Sequence, residues 1–135
     1  MASARCLRTQ GRTARKWRTY AAVCAFAGLR LGEASALRVS DVDFLRRTIT
    51  VSRQVLGYGA ATEIRPPKYG SERTIYAAAW LIDMLAEHVA AHCPGDDQER
   101  WLFGDGRRPV PPGTIGPMWR NARAGLAATA FICTI

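Results

Sequence analysis

Residues 28–33 read Gly28-Leu29-Arg30-Leu31-Gly32-Glu33 and hold an arginine in an unusual setting. The preceding run, from Tyr20 to Leu29, is mostly apolar, so we expect the backbone at Arg30 to be anchored in a core. A guanidinium stays charged at any working pH, and its head must therefore reach water, a carboxylate or a phosphate. Gly28 and Gly32 bracket the arginine, as they would if the backbone turned tightly on both sides. The pattern predicts a rigid loop that presents one guanidinium to an anion.

Length and charge narrow the classes of protein to which the chain can belong. Its 135 residues suffice for one domain with a core, and no apolar run is long enough to span a membrane. The basic N-terminus is not followed by the apolar segment of a signal peptide, so we expect a cytoplasmic location. Nineteen basic residues against 11 acidic ones give a net charge of +8, which favours DNA or RNA over a small-molecule substrate. The four cysteines are scattered without a Cys-x-x-Cys pair, which gives no support to a zinc ribbon.

Hydrophobic periodicity predicts an α+β fold, mainly helical, with a small three-stranded antiparallel sheet. The predicted helices run from Trp17 to Gly28, from Glu33 to Leu37 or Arg38, from Ala77 to His92, and from Gly116 onward. Residues 40–43 are predicted as a turn. The predicted strands, joined as a meander with Lys68 at the second hairpin, are Thr48–Val55, Thr62–Arg65 and Arg73–Tyr76. Trp101-Leu102-Phe103 is predicted to dock on the core.

Arg30, Glu33 and Lys68 carry the chemistry that the sequence offers. The planar fork of Arg30 is suited to bind a phosphate, and Glu33, three residues on, could hold that guanidinium in orientation. Lys68 at a hairpin tip could donate a proton to a leaving oxygen. Such groups make up a phosphoryl-transfer site, where positioning and charge stabilisation dominate. Spacing alone favours a plainer interpretation, an ordinary surface ion pair and a solvated turn lysine.

Three segments favour the phosphoryl-transfer site over the plainer interpretation. In their order they resemble the catalytic domain of tyrosine recombinases, the phage integrase family. Residues 27–43 (AGLRLGEASALRVSDVD) resemble the first signature of the family. Residues 67–75 (PKYGSERTI) resemble its lysine hairpin, and residues 119–126 (WRNARAGL) resemble the helix before its second signature. The resemblance spans about residues 20 to 126 and implies an incomplete recombinase catalytic domain.

The resemblance also implies roles for individual residues. Arg30 would be the first phosphate-binding arginine, Glu33 the supporting acid and Lys68 the general acid. Contacts with double-stranded DNA are expected from Arg30, Arg38, Lys68 and Arg73. In the family a tyrosine attacks the DNA phosphate, and neither metal nor ATP is required. Other recombinase subunits are expected as partners.

The departures from the family pattern are as informative as the matches. The family's His-x-x-Arg signature and its tyrosine nucleophile do not occur in this sequence. The four tyrosines, Tyr20, Tyr58, Tyr69 and Tyr76, all lie upstream of where the nucleophile belongs. The expected function is that of a truncated prophage integrase that binds DNA without cleaving it. The alternatives are a non-catalytic basic module that regulates recombination and a non-functional fragment.

The chain divides by sequence into three parts. Residues 1–16 are predicted as a basic disordered arm, 17–126 as a partial integrase catalytic domain and 127–135 as an aberrant apolar tail. His88, His92 and Cys93 could form half of a metal site, but histidines at a helix C-terminus are more often partners of the helix dipole, and no metal is predicted.

Overall fold

The computed structural model describes residues 4–57, 61–105, 107–114 and 116–117. The helices in these ranges are α1 (Ala4–Ala27), α2 (Leu31–Ser35) and α3 (Ala79–His92). The strands are β1 (Val42–Asp43), β2 (Thr48–Val51), β3 (Gln54–Leu56), β4 (Glu63–Arg65) and β5 (Arg73–Tyr76). Short 3-10 turns occupy Val39–Asp41, Lys68–Gly70 and Pro112–Thr114. The predicted α+β class, with helices around a small antiparallel sheet, is confirmed.

The three-stranded sheet has the order β1-β2-β5, with both neighbouring pairs antiparallel. Val42 of β1 lies opposite Ile49, and Ile49 in turn lies opposite Ile75 of β5. The predicted meander was wrong in its membership, because β1 lies where a turn was expected and β4 pairs with β3 in a separate hairpin. The predicted long strand is divided at Arg53, whose guanidinium binds the carbonyl oxygen of Ala36 and the carboxylate of Asp41.

Helix α1 begins at Ala4, well before the predicted start at Trp17. The prediction of a disordered arm was therefore wrong over residues 4–16. This segment contains four arginines, a lysine and two alanines, residue types that favour helix, and a helix anchored by its buried C-terminal half can extend through such residues without an apolar stripe of their own. The last predicted helix, beyond its first two residues, and the predicted tail at 127–135 lie outside the described residues. The limits of the three predicted parts otherwise remain predictions.

The core lies between α1, α3 and one face of the sheet. Tyr20 and Val23 of α1, Ile49 of β2, and Leu81 and Leu85 of α3 are almost fully buried in one cluster. The segment Trp101-Leu102-Phe103 is buried as predicted, and the backbone N–H of Leu102 donates to the carbonyl oxygen of Leu37 at 2.8 Å. No helix in the described part of the chain is long and apolar enough to cross a membrane.

Candidate functional site

Arg30 lies in a short extended link between α1 and α2. Gly28 has a φ of +70°, a left-handed conformation that glycine adopts without a steric penalty, and it ends α1. Leu29 is buried while Arg30 is exposed, with φ −71° and ψ 157° at the start of α2. Among the residues that the structure describes, the Arg30 guanidinium has no salt bridge. The predicted presentation of this head group to solvent is confirmed.

Gly32 has a different role from the one that the sequence indicated. It lies within α2 and does not form a turn. A Cβ atom at this position would lie 2.8 Å from the carbonyl oxygen of Val55, so the backbone of α2 approaches β3 more closely than any side chain would allow. Gly32 therefore sets the distance between the helix that follows Arg30 and the β3–β4 hairpin.

Tyr20 fixes the other side of α2. Its hydroxyl lies 2.6 Å from the carbonyl oxygen of Leu31 and 2.9 Å from Oγ of Ser35. A phenol has one proton, so the hydroxyl donates to the carbonyl and accepts from the serine. Burial raises the pKa of Tyr20 well above its ordinary value, and the phenol remains neutral. The link containing Arg30 is thus held between α1 and α2.

Glu33 is buried, with 2% of its surface exposed, and its carboxylate accepts hydrogen bonds from two directions. The backbone N–H of Arg30 donates to Oε2 at 2.9 Å, and the guanidinium of Arg73 donates to both carboxylate oxygens. The predicted contact between Glu33 and the Arg30 head group does not occur within the described residues. Burial alone would raise the pKa of Glu33, but the hydrogen bonds from Arg73 and from the Arg30 backbone outweigh it and hold the pKa below its ordinary value.

Arg73 joins three segments of the chain. Besides Glu33, its guanidinium donates to the carbonyl oxygen of Ser71 at 3.1 Å and to that of Gly28 at 3.5 Å. Ser71 closes the turn that carries Lys68, and Gly28 opens the link that carries Arg30. Arg30 and Lys68, two of the predicted DNA contacts, therefore lie on segments that the Arg73 guanidinium connects. A DNA contact by Arg73 itself stays a prediction.

Lys68 and Tyr69 form the tip of the turn between β4 and β5, and both are exposed. Below them Pro67 is buried, and the carbonyl oxygen of Pro66 accepts a hydrogen bond from Nε2 of Gln54 at 2.8 Å. The predicted hairpin at Lys68 was wrong, because the flanking strands β4 and β5 belong to different sheets, but Lys68 does lie in a turn between two strands.

Arg38 has intramolecular partners that the sequence did not indicate. Its guanidinium forms an ion pair with Glu99 and lies over the ring of Trp101, 4.6 Å from the ring centre. Its side chain is only 28% exposed. These contacts attach residues 99–101 to the segment that follows α2. A DNA contact by Arg38 stays a prediction.

A second carboxylate repeats the arrangement at Glu33. Asp41 is buried, accepts from the backbone N–H of Arg38 at 2.8 Å, and pairs with the guanidinium of Arg53 from the link between β2 and β3. In both cases an acid lies three residues after an arginine and caps that arginine's backbone N–H. The repeated spacing, Arg30 to Glu33 and Arg38 to Asp41, was the available signal, and it indicates backbone capping more directly than side-chain pairing.

His88 is engaged with the backbone. Its Nε2 lies 2.6 Å from the carbonyl oxygen of Leu102, so this nitrogen carries the proton. Burial lowers the pKa of His88 to about 4 and keeps the ring neutral. No group of three metal-ligating side chains occurs within the described ranges.

Comparisons with known proteins identify the architecture through structure and not through sequence. No protein-family model matches the sequence, and no curated protein matches it significantly. A Tn1549 transposon integrase, solved in complex with transposon right end DNA, superposes with a TM-score of 0.65 over 84% of this chain at 20% identity. A XerA recombinase superposes with a TM-score of 0.60 over 93% of the chain at 21% identity. A further structure of the Tn1549 integrase, with circular intermediate DNA, gives a TM-score of 0.63 over 90% of the chain at 20% identity.

The chain spans less than half the length of these structures, namely 40% of the first, 42% of the XerA recombinase and 47% of the third. At this level of identity the similarity concerns architecture, and it agrees with the resemblance seen in the sequence. The chain therefore has a tyrosine-recombinase-like fold.

Proposed function

We propose that this chain is part of a DNA recombinase and binds double-stranded DNA, with Arg30 as its central phosphate contact. The observation that carries the proposal is the exposed Arg30 guanidinium on a backbone held by the carboxylate of Glu33. A planar guanidinium on a fixed backbone is suited to grip two phosphate oxygens at once. The net charge of +8 and the DNA complexes of the similar Tn1549 integrase support the same partner.

Arg30 and Lys68 divide the work in this proposal. Arg30 neutralises charge on the phosphate oxygens, which stabilises the extra negative charge of a phosphoryl-transfer transition state. In an intact recombinase, where a tyrosine hydroxyl attacks the phosphorus and the 5′ oxygen leaves, a lysine at the position of Lys68 would donate the proton that the departing oxygen needs. Glu33 and Arg73 position the other two residues. Their ion pair connects the link that carries Arg30 to the turn that carries Lys68. No contact with DNA is assigned to Glu33.

We further propose that these 135 residues do not cleave DNA by themselves, and that they derive from a prophage integrase. The hydroxyl of Tyr20 is buried and bonded to Leu31 and Ser35, which makes it unsuitable as a nucleophile. The sequence contains no His-x-x-Arg signature to bind the phosphate from the other side. Binding without cleavage would also allow the chain to regulate recombination by occupying sites.

Binding to a nicked duplex, measured by fluorescence anisotropy over a salt series, tests the proposal. We expect affinity to fall by orders of magnitude between about 50 and 200 mM salt, since binding releases counterions. Arg30→Ala should reduce the slope of log affinity against log salt by about one. Arg46→Ala is the matched control, because Arg46 is 83% exposed in the β1–β2 turn and its guanidinium already pairs with Asp43.

A denaturing gel of the same mixtures tests the absence of cleavage. We expect no covalent protein–DNA adduct on the nicked substrate, and an adduct would contradict the proposed inactivity. Affinity that does not depend on salt, or equal effects of the two arginine substitutions, would contradict the assignment of Arg30. A cooperative and reversible melt of the wild-type chain would argue against a non-functional fragment.

A further inference from the structure

Tyr69 is the residue whose setting is least explained by folding. Its side chain is 97% exposed at the tip of the turn between β4 and β5. Its backbone has φ +58° and ψ 30°, the left-handed conformation that residues with a large side chain rarely adopt. An exposed aromatic ring on a strained backbone contributes nothing to the core. Strain of this kind is found mainly at sites that bind a ligand.

Hydrogen bonds fix the base of the turn, so the backbone that carries the exposed Tyr69 ring is held in place. Gln54 holds the carbonyl oxygen of Pro66, and Arg73 holds that of Ser71. The backbone N–H of Ser71 donates to the carbonyl oxygen of Lys68 at 3.3 Å and closes the turn. These bonds hold the backbone on both sides of Tyr69, which directly follows Lys68 in the chain.

The chemistry at the tip matches one kind of partner. A flat ring packs well on another flat ring, and an adjacent ammonium attracts negative charge. A nucleic acid combines both features in every nucleotide, because a planar base lies beside a phosphate. Aromatic side chains stack on unstacked bases regardless of sequence, since each base has a π-face, and a break in the backbone, as in a nicked duplex, leaves the adjoining base freer to unstack.

We propose that the ring of Tyr69 packs against a nucleobase of the DNA bound at Arg30, while Lys68 meets the neighbouring backbone. This inference rests on the proposed function and extends it from phosphate contacts to a base contact. The ring supplies the contact, and the phenol hydroxyl is not required. Tyr69 thereby fixes where along the duplex the Lys68 ammonium lies.

The test is binding of the full chain to the nicked duplex, with four variants. Tyr69→Ala should weaken binding roughly tenfold or more, the loss expected for one stacked base. Tyr69→Phe keeps the ring and should bind like the wild type. Tyr76→Ala is the matched control, because Tyr76 is a second exposed tyrosine, 84% exposed, in the regular conformation of β5. It should leave affinity unchanged.

The fourth variant, Tyr69→Gly, separates binding from folding. Glycine adopts a φ of +58° freely, so the melting temperature should not fall although the affinity does. The salt slope should stay at the wild-type value for each Tyr69 variant, because no phosphate contact is removed.

The outcomes distinguish this inference from the proposed function. If the wild-type chain shows no salt-dependent binding, the proposed function fails and the base contact fails with it. If the wild type binds and Tyr69→Ala binds equally well, only the base contact is overturned. Equal losses in the Ala and Phe variants, or in Tyr69→Ala and Tyr76→Ala, would also overturn it.

Discussion

Arg73 and Glu33, forty positions apart in the sequence, form a two-point ion pair. Nη1 of the arginine lies 3.1 Å from Oε1 and Nη2 lies 3.0 Å from Oε2. This geometry matches the two oxygens of a carboxylate with two nitrogens of one guanidinium, which fixes direction as well as distance. The pair connects β5 to α2, and Nη2 of Arg73 also lies 3.5 Å from the carbonyl oxygen of Gly28, at the start of the link that carries Arg30.

The first prediction concerns the charge of Glu33. Glu33→Gln should lower the free energy of unfolding by roughly 1 to 3 kcal/mol, since an arginine hydrogen-bonded to a buried carboxylate loses its charged partner. The loss is moderated because the Arg73 side chain is 35% exposed. Urea denaturation at neutral pH measures it. The control is Glu63→Gln, whose pair with Arg65 is more than half exposed on both sides and should contribute little. Equal losses at the two positions would contradict the role of the buried pair.

The second prediction compares two glycines. Gly32→Ala should destabilise the fold by about 1 to 3 kcal/mol, because the new Cβ would meet the carbonyl oxygen of Val55 at 2.8 Å and push α2 from β3. Gly11→Ala should stabilise it by roughly 0.5 to 1 kcal/mol, because Gly11 lies inside α1 with open space around it. Thermal melts of the two variants should move in opposite directions. A Gly32→Ala protein as stable as the wild type would disprove the close approach.

The third prediction is a pH dependence from His88. Its folded-state pKa of about 4 lies below the ordinary value of 6.5, so the unfolded chain takes up a proton first as the pH falls. Stability should therefore be full above pH 6.5 and decline by up to roughly 3 kcal/mol as the pH approaches 4. His88→Gln retains a donor for the Leu102 carbonyl without a titrating ring, and its stability should vary less over this range. His92→Gln, one turn further along α3, should keep most of the wild-type dependence, because burial is the largest cause of the lowered pKa of His88 and the charge of His92 a smaller one, and loss of the dependence in that variant would refute the assignment.

The fourth prediction addresses the hydroxyl of Tyr20. Tyr20→Phe keeps the buried ring but removes the donor to Leu31 and the acceptor for Ser35. Ser35 is fully buried, so its hydroxyl loses this partner in a place where water cannot replace it, and we expect a loss of roughly 1 to 3 kcal/mol in the free energy of unfolding. Tyr76→Phe removes an exposed hydroxyl and should change stability by less than about 0.5 kcal/mol. Hydrogen exchange at the start of α2 should accelerate in the first variant alone.

The sequence predicted the parts of the fold that depend on local pattern. The apolar spacing from Leu81 to Val89 located α3, and the β-branched run beginning at Thr48 located β2. The exposed head of Arg30 followed from the impossibility of burying an unpaired charge. These features depend on residues close together in the chain, where periodicity is informative.

The features that the sequence did not reveal depend on partners distant in the chain. Nothing near Glu33 indicated that its carboxylate would meet Arg73, because forty residues separate them and arginines are abundant in this sequence. The division of the predicted strand at Arg53 likewise depends on Asp41 and on the carbonyl oxygen of Ala36. The role of Gly32 could be recognised only once Val55 was known to lie against it.

Strand β4 has a consequence for behaviour at high concentration. It is exposed along all three residues and, among the described strands, pairs with β3 alone, so its outer edge offers unmatched backbone groups. Such an edge can recruit an extended segment of another molecule and start a fibril. The charged pair of Glu63 and Arg65 and the adjoining Pro66, which has no N–H to donate, make β4 a poor template. The β3–β4 hairpin, which directly precedes the Lys68 turn, is thus protected by its own residues against the addition of a strand from another molecule.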